Sequence, residues 1–148
     1  MKMIKKPSIG FVRNFYQAYC IHCKSFCREL HMTQTAFDIL MFLANNPEFD
    51  TARDIVECRY IKANLVSVNV ESLVREGYLT REKSPGDRRK IRLVCTEKAR
   101  PVVERGRQLQ SQFAGEMFQN VDARQREEFI KVLYTLEENL KEMQKGRD

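Results

Sequence analysis

The strongest constraint in this chain is a change of hydrophobic period inside residues 62–95, from a helical repeat to a strand repeat across a single glycine. Val66, Val70, Leu73 and Val74 recur at spacings of three and four, so they share one face of a helix. Gly77 ends that helix. Tyr78, Leu79 and Thr80 favour a strand, and Ile91, Leu93 and Cys95 alternate with Arg92 and Val94, as an antiparallel return strand with one buried face should. Ser84, Pro85, Gly86 and Asp87 between them supply turn chemistry. Around that turn, Arg81, Lys83, Arg88, Arg89 and Lys90 gather positive charge that needs solvent or an anionic partner. Upstream, Thr51 with Asp54 three residues later has the form of a capping box, opening a short helix that carries Ala52, Ile55 and Val56. The turn from Arg59 to Lys62 lacks the glycine often found there. Short helix, second helix, basic hairpin is the order of a winged helix-turn-helix.

In that geometry the second helix lies in the major groove of DNA and its early residues meet base edges. With Val66, Val70 and Leu73 turned inward, Asn64 and Val68 face outward, with Leu65 and Ser67 beside them. Asn64 can present a donor and acceptor pair to adenine, Ser67 can bond either way, and Leu65 and Val68 suit thymine methyls. Lys62 and Arg53 suit phosphate, which positions a protein without reading sequence. The plain alternative is a solvated hairpin tip with no anionic partner.

These residues resemble the MarR family of transcriptional regulators. The resemblance is carried by the helix end from Leu73 to Gly77 followed by Tyr78 and Leu79, by the pair Asp87 and Arg89, and by Thr96 opening the next helix. It extends over nearly the whole chain and implies a winged-helix lobe at 33–96 between dimerisation helices at 8–32 and 97–146, all within one domain. By the resemblance, Arg89 enters the minor groove and Asp87 braces the wing; the charge crowded around the turn makes Lys83, Arg88 and Lys90 candidates for the same DNA contact. A planar guanidinium suits the negative potential of a narrow groove. The chain departs from the family pattern at Leu65, where a small hydroxyl residue is usual, at Cys95 in place of leucine, and at Ala99 in place of glycine.

The fold class expected is mainly α with a small β-hairpin wing. At 148 residues the chain suits one domain with a buried core. Its net charge of +6 is unevenly spread: residues 51–100 carry twelve basic and seven acidic side chains, whereas residues 33–50 carry three acidic and none basic. That bias favours nucleic acid over a membrane surface, since no basic helix with an exposed aromatic face accompanies it. Lys2, Lys5 and Lys6 form either an arm that seeks phosphate or a solubilising tail. Arg13, Asn14 and Gln17 interrupt the apolar run that a signal peptide needs, so a cytoplasmic protein is expected.

A long helix over residues 8–30 is expected from the stripe Val12, Phe15, Tyr16, Tyr19, Cys23, Phe26, Cys27 and Leu30. Thr33 can cap a second helix with Phe37, Leu40, Met41 and Ala44, broken at Asn45, Asn46 and Pro47. Val102, Val103, Leu109, Phe113 and Met117 define another, to about Asn120, and Asp122 caps a last one whose Phe129, Leu133, Leu136, Leu140 and Met143 form a packing seam. That seam needs a partner surface. A homodimer built from the first and last helices would set two recognition helices against a near-palindromic site in double-stranded DNA; packing within one chain is the alternative.

Three of the five cysteines, Cys20, Cys23 and Cys27, can share one face of the first helix. They are small core hydrophobes, or a thiol switch tuned by Lys24 and Arg28, or part of a metal site with His22 or His31; no metal or cofactor is assigned. By the family resemblance, a small aromatic effector would bind near the dimerisation helices, where Phe15, Tyr16, Tyr19, Phe37 and Met41 are candidates to line a cleft. An aromatic stripe at helical spacing is equally a core. No glycine-rich phosphate loop, HExxH or serine elbow is present, so no enzyme is expected. The sequence reading is thus a DNA-binding regulator, a dimeric repressor by family analogy, with a winged-helix module that binds protein instead of DNA as the rival.

Overall fold

The computed structural model describes residues 10–146. Lys2, Lys5 and Lys6, and the expected helix start at residue 8, lie outside the described residues. Among those described, six helices and one two-stranded antiparallel hairpin follow in the order α1 (Gly10–Glu29), α2 (Gln34–Asn45), α3 (Ala52–Arg59), α4 (Ala63–Arg75), β1 (Leu79–Ser84), β2 (Asp87–Cys95), α5 (Ala99–Met117) and α6 (Ala123–Lys145). The chain divides into two compact units, one up to Ser111 and one from Gln112 on.

The first unit holds the core. Phe37, Ile39, Leu40 and Met41 of α2 are fully buried, and Cys23, Phe26 and Cys27 of α1, Ile55 of α3, Val66, Val70 and Leu73 of α4, Leu79 and Leu93 of the hairpin and Val102 and Val103 of α5 close around them. Phe26 meets Phe37 edge to face at 5.8 Å between centroids. Helix α5 approaches α2 through Gly106, where a Cβ would lie 2.5 Å from Met41 Sδ and 3.2 Å from Phe37 Cζ, so only glycine fits without displacing the core.

Each boundary has a local cause. Thr33 Oγ1 accepts from the Ala36 amide, and Thr51 and Asp54 form the expected capping box, the side chain of each accepting from the backbone amide of the other. Helix α4 ends in a Schellman motif: the Tyr78 amide donates to Leu73 O and the Gly77 amide to Val74 O, with Gly77 at φ 83°. His31 and Tyr60 take the same left-handed conformation after α1 and α3, at φ 51° and 52°, where a glycine is the usual choice. Thr96 does not open α5, which starts at Ala99. Instead its hydroxyl donates to Gly77 O and its amide to Tyr78 O, tying the end of β2 to the start of β1.

In the second unit, Asp122 and Gln125 form a second capping box at the start of α6. Arg126 lies over the Phe118 ring and donates to the carbonyls of Phe118 and Val121, satisfying the helix end that precedes the turn. No residue of α6 is buried within the chain. Phe129, Leu133, Leu136, Leu140 and Met143 are all exposed, a face that a helix of this composition rarely leaves wet.

Candidate nucleic-acid interface

Helix α4 packs its buried stripe on α2 and α3, which leaves its opposite side to solvent. Asn64, Leu65, Ser67 and Val68 all lie on that outer side, with Val68 66% exposed and Leu65 47%. Arg53 on α3 and Lys62 at the start of α4 are exposed as well, Arg53 bonded to Glu57 one turn on. An open groove of about 480 Å³ runs between α3, α4 and the hairpin, with Val56, Val66, Val70 and Leu93 below and Arg53, Ser67 and Arg81 at its rim.

The hairpin presents its charges through a register slip. Leu79 pairs with Cys95 and Lys83 with Ile91, but Ser84 pairs with Asp87, so Arg88, Arg89 and Lys90 have no cross-strand partner. Unpaired residues in a strand bulge outward and twist the ribbon. Asp87 Oδ1 accepts from the Arg89 amide at 2.9 Å, which fixes the backbone at that bulge. Among the described residues no carboxylate pairs with Lys62, Lys83, Arg88 or Arg89.

Two contacts that the sequence did not reveal fix the hairpin relative to the helices. Asp50 accepts from Arg92 Nε at 2.6 Å and stands 3.8 Å from Lys90 Nζ, while its carbonyl accepts from the Leu93 amide at 2.7 Å. The segment before α3 is thereby tied to β2 by one backbone hydrogen bond and one ion pair. Arg81 of β1 reaches Glu71 of α4 at 2.8 Å, neutralising the one carboxylate on the outer side of that helix. Neither pair has a local sequence signature, because 42 and 10 residues separate the partners. Asn69 was legible in principle, since it stands three residues after Val66 on the buried stripe.

The other candidate residues are placed differently. Phe37 and Met41 are wholly buried in the core, while Phe15 and Tyr16 remain exposed and Tyr19 is partly so. Tyr16 donates to Asp38 Oδ2 at 2.9 Å, and the Tyr19 hydroxyl accepts from Gln110. Burial and the Asp38 charge raise the Tyr16 pKa, and burial raises that of Tyr19. Asp38 itself is buried. That burial pushes its pKa up against the bonds from Gln34 and Tyr16 and the Arg59 guanidinium 3.8 Å away, which pull it down. Cys23 and Cys27 are buried and Cys20 partly so, with burial raising all three thiol pKa values, Cys27 to about 11. Lys24 and Arg28 share a shallow cavity of about 420 Å³ with Cys20 and Cys27 but do not reverse that shift. Among the described residues no group of three or more His, Cys, Asp or Glu is placed to hold a metal ion, and no helix is long and apolar enough to cross a membrane.

A helix-turn-helix with an open second helix, followed by a basic hairpin, has the architecture of a winged helix-turn-helix. Residues 32–90, from the start of α2 to the wing, match the model of the MarR family. Over that segment the chain is similar to MarR family transcriptional regulators. Solved structures carry the same fold. A MarR transcriptional regulator from Methanosarcina mazei Go1 is 23% identical with a TM-score of 0.73, covering 89% of this chain and 94% of its own. A MarR family regulator from Listeria monocytogenes, complexed with 26mer DNA, is 14% identical with a TM-score of 0.79, covering 97% of each chain. BpsR of Bordetella bronchiseptica, whose DNA binding is regulated by 6-hydroxynicotinic acid, is 19% identical with a TM-score of 0.67, covering 90% and 95%. At these identities the likeness speaks for the fold.

Proposed function

We propose that the protein is a homodimeric repressor that reads a near-palindromic duplex operator and leaves it when a small aromatic ligand binds. The observation that carries the DNA contact is the register slip, which leaves Arg88, Arg89 and Lys90 without cross-strand partners and Arg88 and Arg89 without a carboxylate partner among the described residues. Asn64, Leu65, Ser67 and Val68 read base edges. Arg53, Lys62, Lys83, Arg88 and Lys90 hold phosphates, and Arg89, its backbone braced by Asp87, enters the minor groove. The exposed apolar face of α6 and the exposed Phe11, Val12 and Phe15 of α1 support a second copy of the chain as their cover. The repressor mode follows the family resemblance.

For the ligand, the regulation of BpsR by 6-hydroxynicotinic acid supports an aromatic effector, with Phe15, Tyr16 and Tyr19 as its contacts here. Phe37 and Met41 act behind them as packing. A release triggered by oxidation of Cys20, Cys23 or Cys27 is the weaker variant, because a thiol with a raised pKa holds little thiolate at neutral pH.

Binding of the purified protein to its own upstream DNA and to unrelated DNA, at physiological salt and in reducing and oxidising buffer, tests the reading. Specific, redox-indifferent binding by a dimer in light scattering is expected. Binding that stays at the non-specific level would overturn it and favour a winged helix that docks on protein.

A further inference from the structure

The buried side of the recognition helix α4 is not wholly apolar. Asn69 sits within the stripe of Val66, Val70 and Leu73 and is buried with them. Its Oδ1 accepts from Thr33 Oγ1 at 2.7 Å, and its Nδ2 donates to the Leu65 carbonyl at 2.8 Å. Thr33 is also the cap of α2, its oxygen accepting from the Ala36 amide at 3.0 Å. The single hydroxyl proton goes to Asn69 while the oxygen receives the amide, so both capacities are used in one geometry.

Apart from the solvent-exposed pair of Glu71 with Arg81 of the hairpin, the remaining restraints on α4 are weakly directional. Packing of Val66, Val70 and Leu73 sets how far the helix stands from its neighbours but resists a small rotation about its own axis only softly. The N-cap, Lys62, makes no side-chain hydrogen bond. Turning a helix by about 10° moves its side-chain tips by about 1 Å, at a radius of about 5–6 Å. That exceeds the roughly 0.5 Å window within which a hydrogen bond to a base edge is well made. A directional bond from α4 to α2, next to the Leu65 carbonyl and the segment that carries Asn64, Ser67 and Val68, removes this freedom.

We propose that Asn69 is a positioning residue for DNA recognition, anchored by Thr33: the buried pair fixes the rotation of α4 and so aims Asn64, Ser67 and Val68 at base edges. Base preference then depends on a side chain that touches no DNA. The inference rests on the DNA-binding reading above and adds to it a residue that chooses the sequence without contacting it.

The test uses the full chain and a pool of randomised duplex DNA. The sequences enriched by the wild type are identified, and dissociation constants are measured for the best of them and for a scrambled duplex, with the wild type, Asn69→Leu, Thr33→Val and Thr33→Ser. Asn69→Leu and Thr33→Val are expected to lower the ratio of specific to scrambled affinity at least tenfold. Affinity for scrambled DNA and its salt dependence should stay unchanged, and Thr33→Ser, which keeps both bonds, should retain the wild-type ratio. Circular dichroism and melting verify that each protein is folded, and Thr33→Val carries the test if Asn69→Leu does not fold. A wild-type ratio in the folded variants, or a parallel loss on both duplexes, would overturn the proposal alone. A wild type that enriches no sequence at all would overturn the DNA-binding reading and this inference with it.

Discussion

Replacing Lys83, Arg88 and Arg89 together by alanine isolates the electrostatic work of the wing. All three are exposed, and no carboxylate among the described residues pairs with them, so their loss should leave stability within about 0.5 kcal/mol. On duplex DNA each phosphate neutralised contributes about 0.9 to the slope of log K against log salt. Three cations therefore account for about 2.7 units of slope in one protomer and about 5.4 in a two-fold dimer. Between about 50 and 200 mM salt, the wild-type dimer should lose about a thousandfold more affinity than the variant. Fluorescence anisotropy titrations on one labelled duplex at four or five salt concentrations measure both slopes directly. A triple variant that is folded and whose slope differs from the wild type by less than about 1 would refute the assignment of Lys83 and Arg88 to phosphates and of Arg89 to the minor groove.

Four further outcomes are expected. Gly106→Ala should destabilise the protein by about 1–2 kcal/mol in urea unfolding, because the new methyl forces the buried Met41 thioether aside against only a small gain in helix propensity. Thr51→Ala should cost about 0.5–2 kcal/mol in the same assay by opening the capping box of α3, whereas removal of the exposed Glu57 partner of Arg53 should change stability by less than about 0.5 kcal/mol. Asp38 has a raised pKa in the folded state, so its favourable contribution is fully present below the ordinary carboxylate range and is lost as pH rises through the raised value. Melting temperatures from acid to neutral pH should therefore fall for the wild type relative to Asp38→Asn, and parallel profiles for the two proteins would contradict the burial argument. A thiol reagent should label the exposed Cys58 first and Cys23 and Cys27 last in the native protein, with all five reacting alike in denaturant.

Most of the fold and the wing could be read from short-range pattern. The stripe Val66, Val70, Leu73 needs only the helical period, the hairpin only alternation around a turn, and the caps at Thr33, Thr51 and Asp122 only a side chain that reaches three residues ahead. Such features are set within one or two turns of chain, where residue identity and backbone geometry are directly coupled. Thr96 shows how the inference fails even there: a threonine at a helix start looks like a cap, yet its hydroxyl serves Gly77 across the hairpin end. Tyr60 fails in the opposite sense, since it holds the left-handed turn that a glycine was expected to mark.

What the chain determined by itself is which residues face inward and which charges crowd the wing, because periodicity and composition are local. Tertiary structure alone decided which partners those residues meet. It sent Phe37 and Met41 from a supposed ligand cleft into the core, raised the thiol pKa values by burial, and joined Asp50 to Arg92, Arg81 to Glu71 and Asn69 to Thr33. Each of those outcomes depends on surfaces far apart in sequence being brought together and dried, and no property of a residue or its neighbours along the chain encodes that.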